Sequence, residues 1–166
     1  IKYHGEHHSL HQAKAVIDQN QDVKIKNKKK SIPKSPKQII DLVFIDDDPI
    51  FLKQLQKYFG ERYRCEFCTN ITEGINAFEK FRFKVLISDI KLPETEGTIF
   101  LEFINKQRLN IPTIMMSSTA DREDYIKKLE TPSFSFVHKP IKSSDLDLKI
   151  KDALVKWILN DPSRAA

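Results

Sequence analysis

The sequence predicts an α/β fold in which a five-stranded parallel sheet carries helices on both faces, a doubly wound arrangement. Three observations predict it. Short apolar runs recur from residue 39 onward, segments with apolar side chains at helical spacing separate them, and capping or turn residues mark the boundaries. Parallel strands need such helical crossovers, which bury the sheet on both faces. A chain of 166 residues has the length of one domain with an appendage.

The first two strands and helices follow one another directly. Residues 39–45 form a short run of branched apolar residues, typical of a buried parallel strand. Asp48 and Pro49 then provide an N-cap and a first-turn proline for a helix whose apolar positions are Phe51, Leu52, Leu55, Tyr58 and Phe59. Residues 63–68 are the second predicted strand. The apolar positions of the second predicted helix are Ile71, Ile75, Phe78 and Phe81.

The remaining elements complete the alternation of strands and helices. Three further strands are expected at residues 84–88, 113–116 and 134–138. Two further helices are expected near residues 99–104 and 125–129. Ser144 and Asp147 resemble a capping box for a last helix, whose apolar face would be Leu146, Ile150, Leu154, Trp157 and Ile158.

Charge separates a basic amino-terminal segment from a nearly neutral body. Residues 1–38 hold nine lysines against three acids, a charge of +6, while the whole chain carries only +5. We expect a helical or partly disordered extension over residues 1–25 and a basic, proline-containing linker over residues 26–38. The body would cover residues 39–160, and a short tail would follow at residues 161–166.

Composition excludes several classes of protein. A hydrophobic share of 40% and a charged share of 31% fit a soluble globular protein, and four glycines with eight prolines exclude a collagen-like chain. Two cysteines are too few for a disulfide scaffold. No apolar run approaches the ~18 residues that span a bilayer. Because nothing resembles a secretory signal, we expect a cytoplasmic protein without membrane contact.

Residues with strong chemistry follow the predicted strands where each strand ends. In strand order they are Asp46, Asp47 and Asp48, then Asp89, then Ser117 and Ser118, and finally Lys139. Because the carboxyl ends of parallel strands meet at one edge of a sheet, we expect these side chains to lie close together.

The residue types at this edge predict a phosphoryl-binding site. Several carboxylates close together resist joint ionisation unless a cation lies among them. Mg²⁺ prefers oxygen ligands and typically takes one or two carboxylates together with water and phosphate. A lysine ammonium suits a phosphoryl oxygen, and a serine hydroxyl can donate a further hydrogen bond. One carboxylate is then available as a nucleophile, with Mg²⁺ as the cofactor.

The order and spacing of these residues resemble a known family. The pieces are an acidic pair, an aspartate with Pro and Gly four and eight residues later, a hydroxyl, and an aromatic residue three positions before Lys-Pro. In this chain they are Asp46-Asp47, Asp89, Pro93, Gly97, Ser117, Phe136 and Lys139-Pro140. Over about residues 39–160 the pattern is similar to the receiver domain of two-component response regulators, in the CheY-like superfamily. The resemblance implies a flavodoxin-like receiver fold.

The resemblance also implies roles for individual residues. Asp89 would accept a phosphoryl group from a sensor histidine kinase or a phosphotransfer protein, without turnover of an external substrate. Mg²⁺ would be held by Asp47, Asp89 and the backbone carbonyl of Lys91, with Asp46 acting directly or through a water molecule. Lys139 and Ser117 would bind the phosphoryl oxygens, and Phe136 would turn inward behind Ser117. The switch would alter the surface of the fourth predicted helix and the fifth strand and helix, through which homodimers are plausible in the family.

Some positions depart from the family pattern. Ser118 stands where alanine is usual, although it is small enough to leave the phosphoryl path open. Residues 131–133 (TPS) stand where Gly-Ala is usual before the fifth strand. Lys91 and Thr119 occupy positions that tune the lifetime of the phosphoryl group in the family, so no lifetime is predicted.

Other motifs have simpler interpretations. Asp48 is expected to cap the first helix. Cys65 and Cys68 lie three apart on a strand and face opposite sides, so packing is expected rather than a shared metal or a disulfide. The basic run over residues 26–30 is expected to be a solvated linker, with at most weak contact with nucleic acid. A solvated or dimer-contacting helix, adventitious metal binding and phosphotransfer remain alternatives for His4, His7, His8 and His11.

Two alternative functions remain open. Asp46-x-Asp48 resembles the nucleophile and acid of a haloacid-dehalogenase-type phosphatase, although the acidic motif expected beyond the lysine falls in a predicted helix. A receiver fold that no longer accepts phosphate and serves only for docking is the second alternative. No output module follows Asn160 in the sequence, so we expect a stand-alone receiver or one separated from its effector domain. Nucleic acid would be contacted only through such a domain or weakly through the linker.

Overall fold

The computed structural model of the protein describes residues 37–92, 95–96, 102, 110–118 and 134–160. The predicted extension, most of the linker, the tail and nearly all of the third and fourth predicted helices lie outside the described residues. The strands are β1 (Gln38–Ile45), β2 (Cys65–Cys68), β3 (Phe81–Asp89), β4 (Lys91–Leu92), β5 (Thr95–Glu96), β6 (Thr113–Ser117) and β7 (Phe134–His138). The helices are α1 (Pro49–Phe59), α2 (Ile71–Lys80) and α3 (Ser143–Asn160).

Five parallel strands form the central sheet in the order β2-β1-β3-β6-β7. β1 lies between β2 and β3, so the chain first builds one side of the sheet and then reverses direction to build the other. A ligand crevice is expected where the strand order reverses, beyond the carboxyl ends of β1 and β3. This topology confirms the predicted doubly wound α/β fold.

Apolar side chains cover both faces of the sheet. On one face α2 packs against Val43 and Ile45, and on the other α1 and α3 pack against Leu42 and Phe44. This two-sided burial explains why the strands appear in the sequence as continuous apolar runs. Among the helices that the structure describes, none has both the length and the apolar character needed to cross a membrane.

The two cysteines confirm the expected alternation along β2. Cys68 is buried in the cluster that α2 covers, and Cys65 packs against the opposite cluster. Both are free thiols. Burial raises the pKa of each to about 12, so thiolate chemistry is suppressed at neutral pH.

The predicted N-cap of α1 is confirmed. Asp48 Oδ1 accepts hydrogen bonds from the backbone N–H groups of Ile50 at 2.9 Å and Phe51 at 3.2 Å. Pro49 occupies the first turn, where its missing N–H costs no hydrogen bond.

Two details of the predicted elements are wrong, and one element was not predicted. Phe81 does not belong to the second helix, because it pairs with Gln38 and opens β3. The loop after Asp89 contains a two-stranded antiparallel ladder, β4 with β5. The apolar face of the last helix does not extend to Ile158, which is exposed.

The predicted capping box of the last helix is also wrong. Ser144 and Asp147 both lie inside α3, whose first turn begins with N–H groups donating to the Lys142 carbonyl. The Asp147 carboxylate instead pairs with Arg62 at 3.2 Å and Lys151 at 2.9 Å. An ion pair to a distant residue has replaced the local capping contact that the spacing suggested.

Candidate functional site

Backbone hydrogen bonds at the carboxyl edge of the sheet continue past the ends of the strands. The Asp46 N–H donates to the Cys68 carbonyl at 3.1 Å, and the Lys139 N–H donates to the Ser117 carbonyl at 2.8 Å. Each bond ties a residue just beyond one strand to the neighbouring strand. The edge therefore fixes the backbone of the residues that carry the polar side chains.

Lys139 joins two aspartates at this edge. Its Nζ donates to Asp46 Oδ2 and to Asp89 Oδ2, both at 2.6 Å. The other oxygens accept backbone hydrogen bonds, Asp46 Oδ1 from the Asp48 N–H at 2.9 Å and Asp89 Oδ1 from the Lys91 N–H at 3.0 Å. Residues that are 93 and 50 positions from Lys139 thus meet at one ammonium group.

A third carboxylate completes an acidic cluster. Ligand oxygens of Asp46, Asp47 and Asp89 all lie within 4.8 Å of one another. Asp46 is fully buried and Asp89 is 8% exposed, whereas Asp47 is exposed. An all-oxygen donor set with one side open to solvent suits a hard divalent cation such as Mg²⁺, which keeps several waters.

Burial and charge determine the ionisation of Asp46 and Lys139. Burial raises the pKa of Asp46 above its ordinary value, although the hydrogen bond from Lys139 opposes this. Burial lowers the pKa of Lys139, but its hydrogen bonds to Asp46 and Asp89 outweigh this effect and raise it. The lysine therefore stays charged, while the cluster resists carrying several negative charges at once.

The remaining predicted residues differ in their burial and in their contacts. Ser117 is buried at the end of β6 and holds Lys139 through its carbonyl, while Ser118 is exposed. Phe136 is half-buried on β7, in register with Met115. Lys91 is exposed on β4. Thr119 lies outside the described residues.

One neighbour of Lys139 was not anticipated from the sequence. The Phe51 ring lies with its centroid 5.0 Å from Lys139 Nζ. The sequence places Phe51 only among the apolar positions of the first helix, where it is indeed half-buried against the α1–α3 cluster. The available signal was its position on the first helical turn after the acidic residues, but that position by itself does not identify its partner.

A family model describes the same part of the chain. Residues 42–151 match the model of the response regulator receiver domain. That range contains the acidic cluster, Lys139 and the five strands of the central sheet, apart from the first four residues of β1.

Solved structures resemble the protein over most of its length. A receiver domain protein (CheY-like) from Methanospirillum hungatei JF-1 is 30% identical with a TM-score of 0.67, and the match covers 76% of this chain and 100% of that one. A response regulator receiver domain protein from Clostridium thermocellum has a TM-score of 0.66 over 72% of this chain and 97% of that one. At 23% identity, the second match shows the fold alone.

Curated relatives are longer proteins. The transcriptional activator protein PfeR of Pseudomonas aeruginosa is 28% identical over 72% of this chain and 39% of its own length. The two-component response regulator ORR21 of Oryza sativa is 28% identical over 63% of this chain and 16% of its own length. The chain thus spans less than half the length of these two relatives.

The comparisons support neither the phosphatase nor the docking-only alternative.

Proposed function

The chain belongs to the response regulator receiver domain family of two-component signalling, and we propose that Asp89 is its phosphoacceptor. Receiver domains are signalling domains rather than enzymes that turn over an external substrate. The donor would be a phosphohistidine on a sensor histidine kinase or a phosphotransfer protein. The setting would be the cytoplasm.

The observation that carries the proposal is the bridge from Lys139 to Asp46 and Asp89, with both Nζ–oxygen distances at 2.6 Å. In the transfer, an Asp89 carboxylate oxygen forms a bond to phosphorus as the phosphorus–nitrogen bond to the donor histidine breaks. The donor imidazole keeps the electron pair and takes up a proton. Lys139 is already beside the accepting carboxylate and can neutralise charge on the transferring group.

The acidic cluster would hold the Mg²⁺ that this chemistry uses. Asp46, Asp47 and Asp89 would provide carboxylate oxygens, and the Lys91 carbonyl would provide a further ligand. When bound, the ion supplies positive charge that stabilises the phosphoryl oxygens during transfer. The raised pKa of Asp46 supports a cation site, because a second positive charge would relieve the crowding of carboxylates.

Ser117 and Phe136 would transmit the change to the surface. Ser117 would bind a phosphoryl oxygen, and Phe136 would turn toward the space behind it. Both lie on adjacent strands, β6 and β7, and Lys139 directly follows β7. A local change at Asp89 would thereby alter the surface that β7 and α3 share.

Homodimers could form through the same surface. α3 exposes four apolar side chains: Leu148, Val155, Ile158 and Leu159. A beryllofluoride-activated dimer of the NtrC4 receiver domain is among the solved structures of similar fold, at 19% identity and a TM-score of 0.64. Sedimentation with and without a phosphodonor tests this, and a monomer under both conditions would contradict it.

Intact-mass measurement tests the phosphoacceptor. We expect the wild type to gain the mass of one phosphoryl group from a small phosphodonor with Mg²⁺, and Asp89→Asn to gain none. Asp41→Asn is the matched control, because Asp41, like Asp89, lies on a strand of the central sheet and pairs with a lysine, but it lies away from this edge, and the variant should be phosphorylated normally. Phosphorylation that persists in Asp89→Asn and disappears in Asp46→Asn would instead favour the phosphatase-type nucleophile.

A further inference from the structure

The Lys139 side chain has two kinds of partner. Two are the carboxylates of Asp46 and Asp89, and the third is the Phe51 ring, whose centroid is 5.0 Å from Nζ. The Lys139 side chain is only 24% exposed. An ammonium within about 6 Å of a ring centroid is attracted by the π-electrons, and partial removal from water strengthens this attraction.

The two kinds of partner respond differently when a cation is bound. Asp46 Oδ2 accepts a hydrogen bond from Lys139, so a cation on that oxygen would compete with the ammonium and repel it. The Phe51 ring is neither a metal ligand nor an ionisable group. Its attraction for the ammonium therefore persists when Asp46 is engaged elsewhere.

Two backbone hydrogen bonds connect Phe51 to the acidic residues of the site. The Phe51 N–H donates to Asp48 Oδ1 at 3.2 Å, and the Asp48 N–H donates to Asp46 Oδ1 at 2.9 Å. The ring also packs against the cluster that α1 and α3 cover. A hydrogen-bonded turn and apolar packing thus hold it at a defined place beside the site.

We propose that Phe51 is a positioning residue that keeps the Lys139 ammonium beside Asp89 when Lys139 gives up its hydrogen bond to Asp46. This role rests on the proposed phosphoacceptor function of Asp89. Phe51, an apolar residue of α1, would thus contribute to phosphoryl transfer as well as to packing. Phe51 would act through Lys139 rather than by binding the reacting carboxylate or the phosphoryl group.

Three variants separate positioning from packing. Phe51→Leu keeps an apolar side chain but removes the π-electrons, and Phe51→Tyr restores them. Phe67→Leu is the matched control, because Phe67 is also half-buried against the same cluster but stacks on Phe44, with ring centroids 5.1 Å apart. We expect Phe51→Leu to lower the phosphorylation rate from a small phosphodonor by about three- to tenfold, and the other two variants to stay within about twofold of wild type.

Nuclear magnetic resonance of the unphosphorylated full chain supplies a readout that does not depend on phosphorylation. The Phe51 ring current should displace the Lys139 ε-methylene proton signals. We expect that displacement to disappear in Phe51→Leu and to remain in Phe51→Tyr and Phe67→Leu. Urea unfolding of each variant verifies that it is folded under the assay conditions.

The possible failures are distinguishable. A wild type that gains no phosphoryl group would overturn the proposed function and with it this role. If the wild type is phosphorylated, an equal rate in Phe51→Leu, an equal loss in Phe67→Leu, or no recovery in Phe51→Tyr overturns the role of Phe51 alone. A Lys139 signal that is unchanged in Phe51→Leu overturns it as well, whatever the rate.

Discussion

Asp41 on β1 and Asp46, which directly follows β1, make nearly the same contact with a lysine, yet their pKa values shift in opposite directions. Lys84 Nζ lies 2.7 Å from Asp41 Oδ1, and Lys139 Nζ lies 2.6 Å from Asp46 Oδ2. Burial acts to raise the pKa of both carboxyls. At Asp41 the contacts with Lys84 and Arg64 outweigh burial and lower the pKa, whereas at Asp46 burial prevails and raises it.

The difference lies first in burial, which is deeper at Asp46, and then in the number of cationic partners of each carboxylate. Asp41 is 15% exposed in its side chain and has two cationic partners, Lys84 and Arg64, the latter at 3.5 Å. Asp46 is fully buried, and its lysine is shared with Asp89. One cation between two carboxylates leaves negative charge uncompensated. An ion pair is therefore a poor indicator of function by itself, and an excess of buried charge is a better one.

The Asp41 network has a structural role. Lys84 connects β1 to β3 through Asp41, and its Nζ also lies 5.4 Å from the centroid of the Trp157 ring on α3. The Arg64 backbone N–H donates to Asp41 Oδ2 at 2.9 Å. Asp41 thus connects β1 to β3 and to the residue before β2, and its carboxylate is paired with the cations of Lys84 and Arg64.

The largest expected effect comes from removing the ammonium that Asp46 and Asp89 share at the functional edge. Lys139→Met should lower the free energy of unfolding by about 3 kcal/mol in metal-free buffer, because two buried carboxylates lose the ammonium that they share. Millimolar Mg²⁺ should restore part of this loss. Urea unfolding with and without Mg²⁺ measures both effects.

Lys84→Met is the control for that experiment. It should cost less stability because Asp41 keeps Arg64 as a partner, and Mg²⁺ should not restore what is lost. Equal losses in both variants, with equal responses to Mg²⁺, would remove the distinction between the two regions.

A smaller loss is expected at the structural network. Asp41→Asn should lower the free energy of unfolding by about 1–2 kcal/mol, because the partly buried Lys84 ammonium loses its carboxylate. Fluorescence of Trp157, the single tryptophan of the sequence, can follow unfolding of α3. Unchanged stability would show that Arg64 and Lys84 are adequately solvated without Asp41.

Asp46→Asn should change stability in the opposite direction. In metal-free buffer at pH 7 the neutral amide should raise the free energy of unfolding by about 1 kcal/mol, because the fold disfavours an ionised carboxylate at this buried position. The same variant should be stabilised less by Mg²⁺ than the wild type. If Asp46→Asn were instead destabilised as much as Asp41→Asn, the fold would not disfavour an ionised carboxylate at Asp46.

The smallest expected effects concern pH. The differences in free energy of unfolding between wild type and the variants Asp46→Asn and Asp41→Asn should change with pH by about 1 kcal/mol or less. Asp46 has a raised pKa, so its contribution to stability is present below the ordinary value of 3.8 and is lost as pH rises. The advantage of Asp46→Asn over wild type should therefore vanish at low pH. Asp41 has a lowered pKa, so the deficit of Asp41→Asn should be largest at neutral pH and shrink below pH 3.8. Parallel profiles would contradict both assignments.

Sequence patterns were most informative where local and global preferences agree. The apolar runs of β1, β3 and β6 are buried on both faces, so burial leaves a continuous signal in the sequence. Phe81 shows the limit of such patterns. It continues the helical spacing of α2, but pairing with Gln38 draws it into β3, and no local pattern distinguishes these outcomes.

The sequence by itself determined the order of the five strands of the central sheet and of the three described helices, and the identity of the acids and the lysine at the carboxyl edge. Those features follow from apolar periodicity and from residues adjacent to strand ends. Only the tertiary structure decided that Lys139 is shared by Asp46 and Asp89, that Phe51 lies against it, and that Asp41 and Asp46 have opposite pKa shifts. These properties depend on distances and burial among residues far apart in the chain, which electrostatic interactions sense and sequence spacing does not encode.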